Sequence, residues 1–162
     1  MTDKIEQRLQ ELGISLPDPW SLPKGTLTGS ILVRVQAERV FTGGHVPLDN
    51  QGQVCGPFGK VGAEVSLEQA QEAARRTLLA LLASLKKELG SLERIGTWLR
   101  IGGLVNTAPT FTEYPRVMNA ASLLLIEIFG EAVGSHARLA IGVAGLPWNV
   151  PVEIEAELSL AE

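Results

Sequence analysis

A chain of 162 residues with 45% hydrophobic and 20% charged side chains has the length and balance of one packed domain. Its net charge of −4, with a pI near 5.3, comes without a basic tract that could neutralise phosphates, which argues against nucleic acid as a partner. One cysteine, Cys55, excludes an intramolecular disulfide, and two histidines, His45 and His136, give no metal-ligand spacing. Neither a metal nor a cofactor is expected. No apolar run approaches the ~20 residues that span a bilayer, and the start Met1-Thr2-Asp3-Lys4-Ile5-Glu6 is charged. A cytoplasmic protein without membrane contact is the expectation.

Residues 1–29 read as a helix followed by an extended arm. Ile5, Leu9 and Leu12 share one face of a helix over 2–13, with Gly13 as its stop. Pro17, Pro19, Pro23, Gly25 and Gly29 then deny regular structure to the arm. The main domain, 30–162, opens with the β-rich run Ile31–Gln36, a turn at Ala37-Glu38-Arg39, and Val40-Phe41-Thr42, which together predict a hairpin. Gly43-Gly44 follows, where a chain without side chains can approach another group closely. Residues 48–65, rich in glycine, predict a long, flexible surface loop.

Ser66 and Gln69 form a capping-box pattern. Leucines and alanines at helical spacing then run from Leu67 to Leu89, and Gly90 closes the helix. Ile95 to Val105 is extended, with Gly102-Gly103 predicting a bulge or a close approach. A second helix begins around Thr110–Pro115 and carries its stripe on Val117, Ala121, Leu124 and Ile128. Leu123, Leu125, Ile126 and Phe129 make it apolar almost all round, which predicts burial on more than one side. Arg138 to Leu146 is a strand, and Pro147–Pro151 a turn. In the last strand Val152, Ile154, Ala156 and Leu158 alternate with Glu153, Glu155 and Glu157, the period of two of a half-buried strand. Two helices on one face of a mixed sheet make an α+β, two-layer domain. The other sheet face must meet solvent or another subunit.

At these residues the chain resembles the YjgF/RidA family, reactive-intermediate deaminases also labelled L-PSP endoribonucleases, over about 30–160. The segments that carry the resemblance are Phe41-Thr42-Gly43-Gly44-His45-Val46-Pro47, the surroundings of Asn119, and Ala137-Arg138 followed by Val152-Glu153-Ile154-Glu155-Ala156. Fifteen positions separate Arg138 from Glu153, the family's spacing. Residues 1–29 and the Gly-rich loop resemble a longer subgroup. The resemblance implies a chorismate-mutase-like fold and a homotrimer with clefts between subunits. It also implies hydrolysis of short-lived enamines or imines such as 2-aminoacrylate to 2-oxo acids and ammonia. Arg138 would bind the substrate carboxylate, Glu153 would position water, Gly44 would offer backbone, and Asn119 would lie near the site. A guanidinium suits a carboxylate through two parallel hydrogen bonds, and a carboxylate suits a water that must lose a proton.

The chain departs from the family pattern at three places: Ser30 stands where a tyrosine is usual, Ala140 where a cysteine is, and His45 where glutamine is more frequent. The alternative reading is a non-catalytic trimer that binds a small carboxylate in the same cleft. Ribonuclease activity follows only from the old family label, and the acidic charge opposes it. Glu155 and Glu157 read as structural or interface groups, His45 as turn filling, Cys55 as a bystander thiol and Trp148 as a packing plug.

Overall fold

The computed structural model describes residues 3–26 and 28–161. Met1, Thr2, Leu27 and Glu162, which fall within the expected segment boundaries, lie outside them. In chain order the elements are α1 (Lys4–Glu11), β1 (Val33–Gln36), β2 (Arg39–Thr42), α2 (Leu67–Leu89), β3 (Ile95–Asn106), α3 (Tyr114–Phe129), the single turn α4 (Glu131–Gly134), β4 (Ala137–Val143) and β5 (Val152–Leu160). One five-stranded sheet has the order β1-β2-β5-β3-β4. Only β3 and β4 run parallel, because α3 carries the chain back between them, the crossover that a parallel pair requires.

The alternation in β5 decides the layers. Val152, Ile154, Ala156 and Leu158 are buried beneath the helices, and the three glutamates between them point to the opposite face. α2 lies over this core with Leu78, Leu81, Leu82 and Leu85 turned inward. Its capping box forms as the sequence predicts: the Gln69 amide donates to Ser66 Oγ at 3.1 Å and the Ser66 amide to Gln69 Oε1 at 2.9 Å. Such a cap is worth about 1 kcal/mol. α1 joins the same core through Leu9, which is buried.

Several expectations are corrected. The first strand begins at Val33 rather than Ile31, the turn is confined to Ala37-Glu38, and β4 stops at Val143. Gly102-Gly103 is no bulge, since pairing with β5 is continuous there, and the register shifts lie earlier, between Ile95 and Thr97 and between Trp98 and Arg100. Close approach is the reason for Gly103: a Cβ there would stand 2.6 Å from Met118 Sδ. Burial of α3 extends beyond its stripe to Leu125 and Phe129, as expected, but leaves Leu123 66% exposed.

The Gly-rich segment 48–65 is bound down rather than loose. Leu48, Val61 and Val65 are buried, and Val61 bridges both Val65 and Thr107. The fully buried Asn106 accepts from Lys60 Nζ at 2.9 Å and donates through Nδ2 to Gly59 O, Asn149 Oδ1 and Val150 O. Lys60 Nζ also donates to Ala144 O. One amide thus ties the loop to the β4–β5 connection, and a buried polar group so fully partnered holds its surroundings in one arrangement. The arm before β1 is irregular, as expected, but Trp20 anchors it in a second apolar cluster with Val46, Leu48, Ala80 and Val150.

Candidate functional site

β2 separates from β5 just where the two glycines occur. Val40 pairs with Leu158, the Ala156 amide then donates to Thr42 Oγ1 at 2.8 Å instead of to a backbone carbonyl, and pairing resumes between His45 and Ile154. One residue more lies on the β2 side than on the β5 side between those pairings, so the chain bows outward at Gly43-Gly44 as in a bulge. The bow sets Gly44 against Glu153. A Cβ built on Gly44 would overlap the Glu153 carboxylate and stand 2.7 Å from its Cδ. Glycine is required here for space rather than for an unusual φ. The flanking amides are engaged, Gly43 N–H to Leu32 O and His45 N–H to Ile154 O. The Gly44 amide between them has no partner among the described residues.

Glu153 lies on the face away from the helices, in register with Leu104, which is in turn in register with Ile141. This half-buried, partly apolar position raises its pKa, and the negative charge of Glu155 raises it further. Glu155 itself lies along Gly102, and Glu157 pairs with Arg39.

Arg138 starts the edge strand β4 on the other face. It is in register with Ile101, and Ile101 with the buried Ala156, so its side chain rises toward α3. There Arg138 Nη1 donates to Asn119 Oδ1 at 3.0 Å and to Ser122 Oγ at 3.1 Å, while Nη2 reaches Pro115 O at 3.5 Å. Partial burial lowers its pKa from the usual arginine value, though an arginine stays charged in proteins. Ala140 and Gly142 follow on the same face, and the Tyr114 ring covers Gly142 closely enough that a Cβ would stand 2.5 Å from Cε1.

The four residues singled out in the sequence therefore form two pairs, Gly44 with Glu153 and Arg138 with Asn119. Within one chain the sheet separates them. Ser30 is exposed in the coil before β1. His45 is fully buried between Gly43 O and Ser84 Oγ, each 2.9 Å from a ring nitrogen. Burial pushes its pKa down to about 4, despite the bond to Gly43 O. It fills the turn and is no neutral-pH acid or base. Trp148 is half exposed, edge-on to Trp20 at 5.8 Å. Cys55 lies 3.6 Å from Arg76 Nη1. Sequence reasoning missed Ser122 as a partner of Arg138; the spacing of Asn119 and Ser122, one helical turn apart, was the available signal. Among the described residues no three His, Cys, Asp or Glu side chains cluster as metal ligands, and no helix is long and apolar enough to cross a membrane.

Fold and site together define a two-layer α+β domain with a helix-covered sheet, a carboxylate set on backbone at one face and an oriented guanidinium at the other. The family model described as "YjgF/chorismate mutase-like, putative endoribonuclease" matches residues 6–157, and the chain belongs to that family. It is 33% identical over 157 residues to Protein TCP17 of Trypanosoma cruzi, covering 97% of this chain and 94% of that one. Among solved structures, Atu1372 of Agrobacterium tumefaciens superposes with a TM-score of 0.86 at 33% identity, covering 98% of this chain and 93% of the other. A "putative endoribonuclease" of Shewanella oneidensis matches with a TM-score of 0.86 at 29% identity, covering 96% and 99%.

Proposed function

We propose that the chain hydrolyses small imines or enamines bearing a carboxylate, of the 2-aminoacrylate type, to 2-oxo acids and ammonia. The observation that carries this reading is the seating of the Glu153 carboxylate on Gly44, beside a backbone amide with no partner among the described residues. Arg138, oriented by Asn119, would hold the substrate carboxylate in a fork of parallel hydrogen bonds. Glu153 would orient a water against the imine carbon. As the C–O bond forms, the C=N electron pair moves to nitrogen and the water proton to Glu153. The carboxyl group then returns that proton to nitrogen; the carboxylate next takes the carbinol O–H proton and passes it to the amine, so that the C–N bond breaks to release ammonia as the oxygen becomes the 2-oxo group. An enamine enters the same path after protonation at its β-carbon. Burial and the charge of Glu155 raise the pKa of Glu153, which suits a group that both takes and gives a proton.

Because Arg138 and Glu153 occupy opposite sheet faces, a site using both needs two copies of the chain, and we propose a homotrimer with the site in each cleft. Phe41, Leu139 and Ile141, each more than a third exposed, share the outer face with Glu153, and exposed apolar side chains among charged ones suit contact with another copy. The fold likeness to TdcF of Escherichia coli, solved with bound serine, is at 16% identity and a TM-score of 0.53 and shows the fold alone. In that protein the fold holds a small amino acid. RNA cleavage is disfavoured by the net charge of −4 and the absence of a basic tract in the sequence.

The test generates imines in place with an amino-acid oxidase and follows ammonia and 2-oxo acid release. Acceleration by wild type that vanishes in Arg138→Ala is the expected result. No acceleration over buffer by a protein that still binds small carboxylates would replace the enzyme with a binding module. The exposed Ser30 and the thiol-free Ala140 are the residues that favour that second reading.

A further inference from the structure

Behind Arg138 stands a second polar group that the proposed chemistry does not use. His136 Nδ1 is 2.7 Å from Gly134 O, and His136 Nε2 is 3.0 Å from Ser122 Oγ. A carbonyl only accepts, so Nδ1 carries the proton, and in the neutral ring Nε2 is then an acceptor. The proton between Nε2 and Ser122 must come from the serine hydroxyl. With its one O–H committed to His136, Ser122 Oγ presents its lone pairs to Arg138 Nη1, 3.1 Å away. Without the imidazole, a helical serine turns its hydroxyl back to the carbonyl four residues earlier. The oxygen's lone pairs would turn with it.

We infer that Ser122 and His136 are positioning residues for Arg138: a chain of hydrogen bonds from Gly134 O through His136 and Ser122 fixes one edge of the guanidinium, complementing the holds of Asn119 on Nη1 and of Pro115 O on Nη2, and leaves Nε–H and the second Nη2 hydrogen for a ligand carboxylate. The three residues come from different elements. Ser122 lies on α3, His136 in the link after α4, and Arg138 on β4. The geometry of the anion anchor therefore depends on how α3 and the edge strand are packed. A planar fork needs this more than a point charge would, because bidentate recognition fails when the plane rotates. The significance of the anchor rests on the carboxylate-binding role proposed for Arg138; the positioning itself does not.

The experiment separates the two. Nitrogen-15 NMR of wild type reads the His136 tautomer and the rotation of the Arg138 Nη groups. The expected result is a proton on Nδ1 and slow Nη rotation, with both Ser122→Ala and His136→Phe speeding that rotation and Ser122→Thr restoring it. In parallel, Ser122→Ala is expected to raise KM for the imine, or Kd for pyruvate, about tenfold with kcat unchanged. A His136 proton on Nε2 in wild type, or Arg138 signals unmoved in both variants, would overturn the inference. Nη rotation freed in Ser122→Ala, in a protein that neither turns over imines nor binds pyruvate, would uphold the positioning and overturn the proposed function alone.

Discussion

The Gly44–Glu153 half and the Arg138–Asn119 half of the candidate site stand on one sheet but are built from different materials. The first is backbone work: β2 leaves its partner, two glycines bow outward, and a carboxylate rests where a side chain would otherwise be. It lies on an interior strand pair, and no neighbouring side chain orients Glu153 through a hydrogen bond among the described residues. The second half is side-chain work, an arginine on an edge strand held by two α3 side chains. A backbone-built half tolerates no added atom, whereas a side-chain-built half degrades by steps as each support is removed. They share one feature: partial burial shifts both ionisable groups toward their neutral forms, raising Glu153 and lowering Arg138.

The largest effect expected from this contrast is also the test of whether the halves belong together. Glu153→Ala and Arg138→Ala are each expected to lower kcat/KM for a carboxylate imine by about a thousandfold. Mixed after reversible dissociation, the two inactive variants should recover activity, because random assortment restores about one site in four when a site draws on two copies. Recovery absent from a properly mixed oligomer would break the two-copy site. In wild type, the acid limb of the rate profile should lie above the ordinary glutamate range, since burial raises Glu153.

Gly44→Ala comes next, with an expected loss of about a hundredfold in kcat/KM, because the carboxylate must leave its seat. Circular dichroism and thermal unfolding should show the fold kept; an active Gly44→Ala enzyme would show that the seat is immaterial.

The third prediction concerns stability rather than turnover. His45 has a folded pKa of about 4, below the ordinary histidine value of 6.5, so between those values the unfolded chain binds more protons than the folded one. Stability should therefore be full above about pH 6.5 and fall as the pH drops toward 4, by about 3 kcal/mol. Urea unfolding across that range measures it, and His45→Gln should flatten that part of the dependence. The smallest effect is Asn119→Ala, expected to raise KM about fivefold with kcat little changed, since Ser122 still holds Nη1.

Much of the architecture was legible in the chain because its signals are local. The period of two in Val152–Leu158 named both the core face and the glutamate face, and the capping box and leucine spacing placed α2 to the residue. Arg138 and Glu153 stood out through the family resemblance, whose spacing places them on adjacent elements in sequence. That spacing says nothing of sheet order. β5 inserts between β2 and β3, and β4 is left at the edge, so two residues linked by a short connection end two strands apart, and the register that aligns Arg138 with Ile101 and Ala156 sets it on the face opposite Glu153. Segment 48–65 was misread for a related reason. Its glycines advertise freedom, but the restraint comes from Asn106, more than forty residues from both Lys60 and the end of the sheet connection it also binds. His45 likewise takes its character from Ser84 and the burial around it.

What the sequence determined by itself was therefore the elements, the core face of each and the family resemblance. The first two follow from propensity and periodicity within a few residues, and the third from the motifs around Gly44, Asn119, Arg138 and Glu153. Tertiary structure alone decided which functional groups meet. It placed Glu153 on Gly44, Arg138 between Asn119 and Ser122, and the two pairs on either side of the sheet. Such meetings depend on strand order and on desolvation by distant residues, and neither is a property of any short stretch of chain.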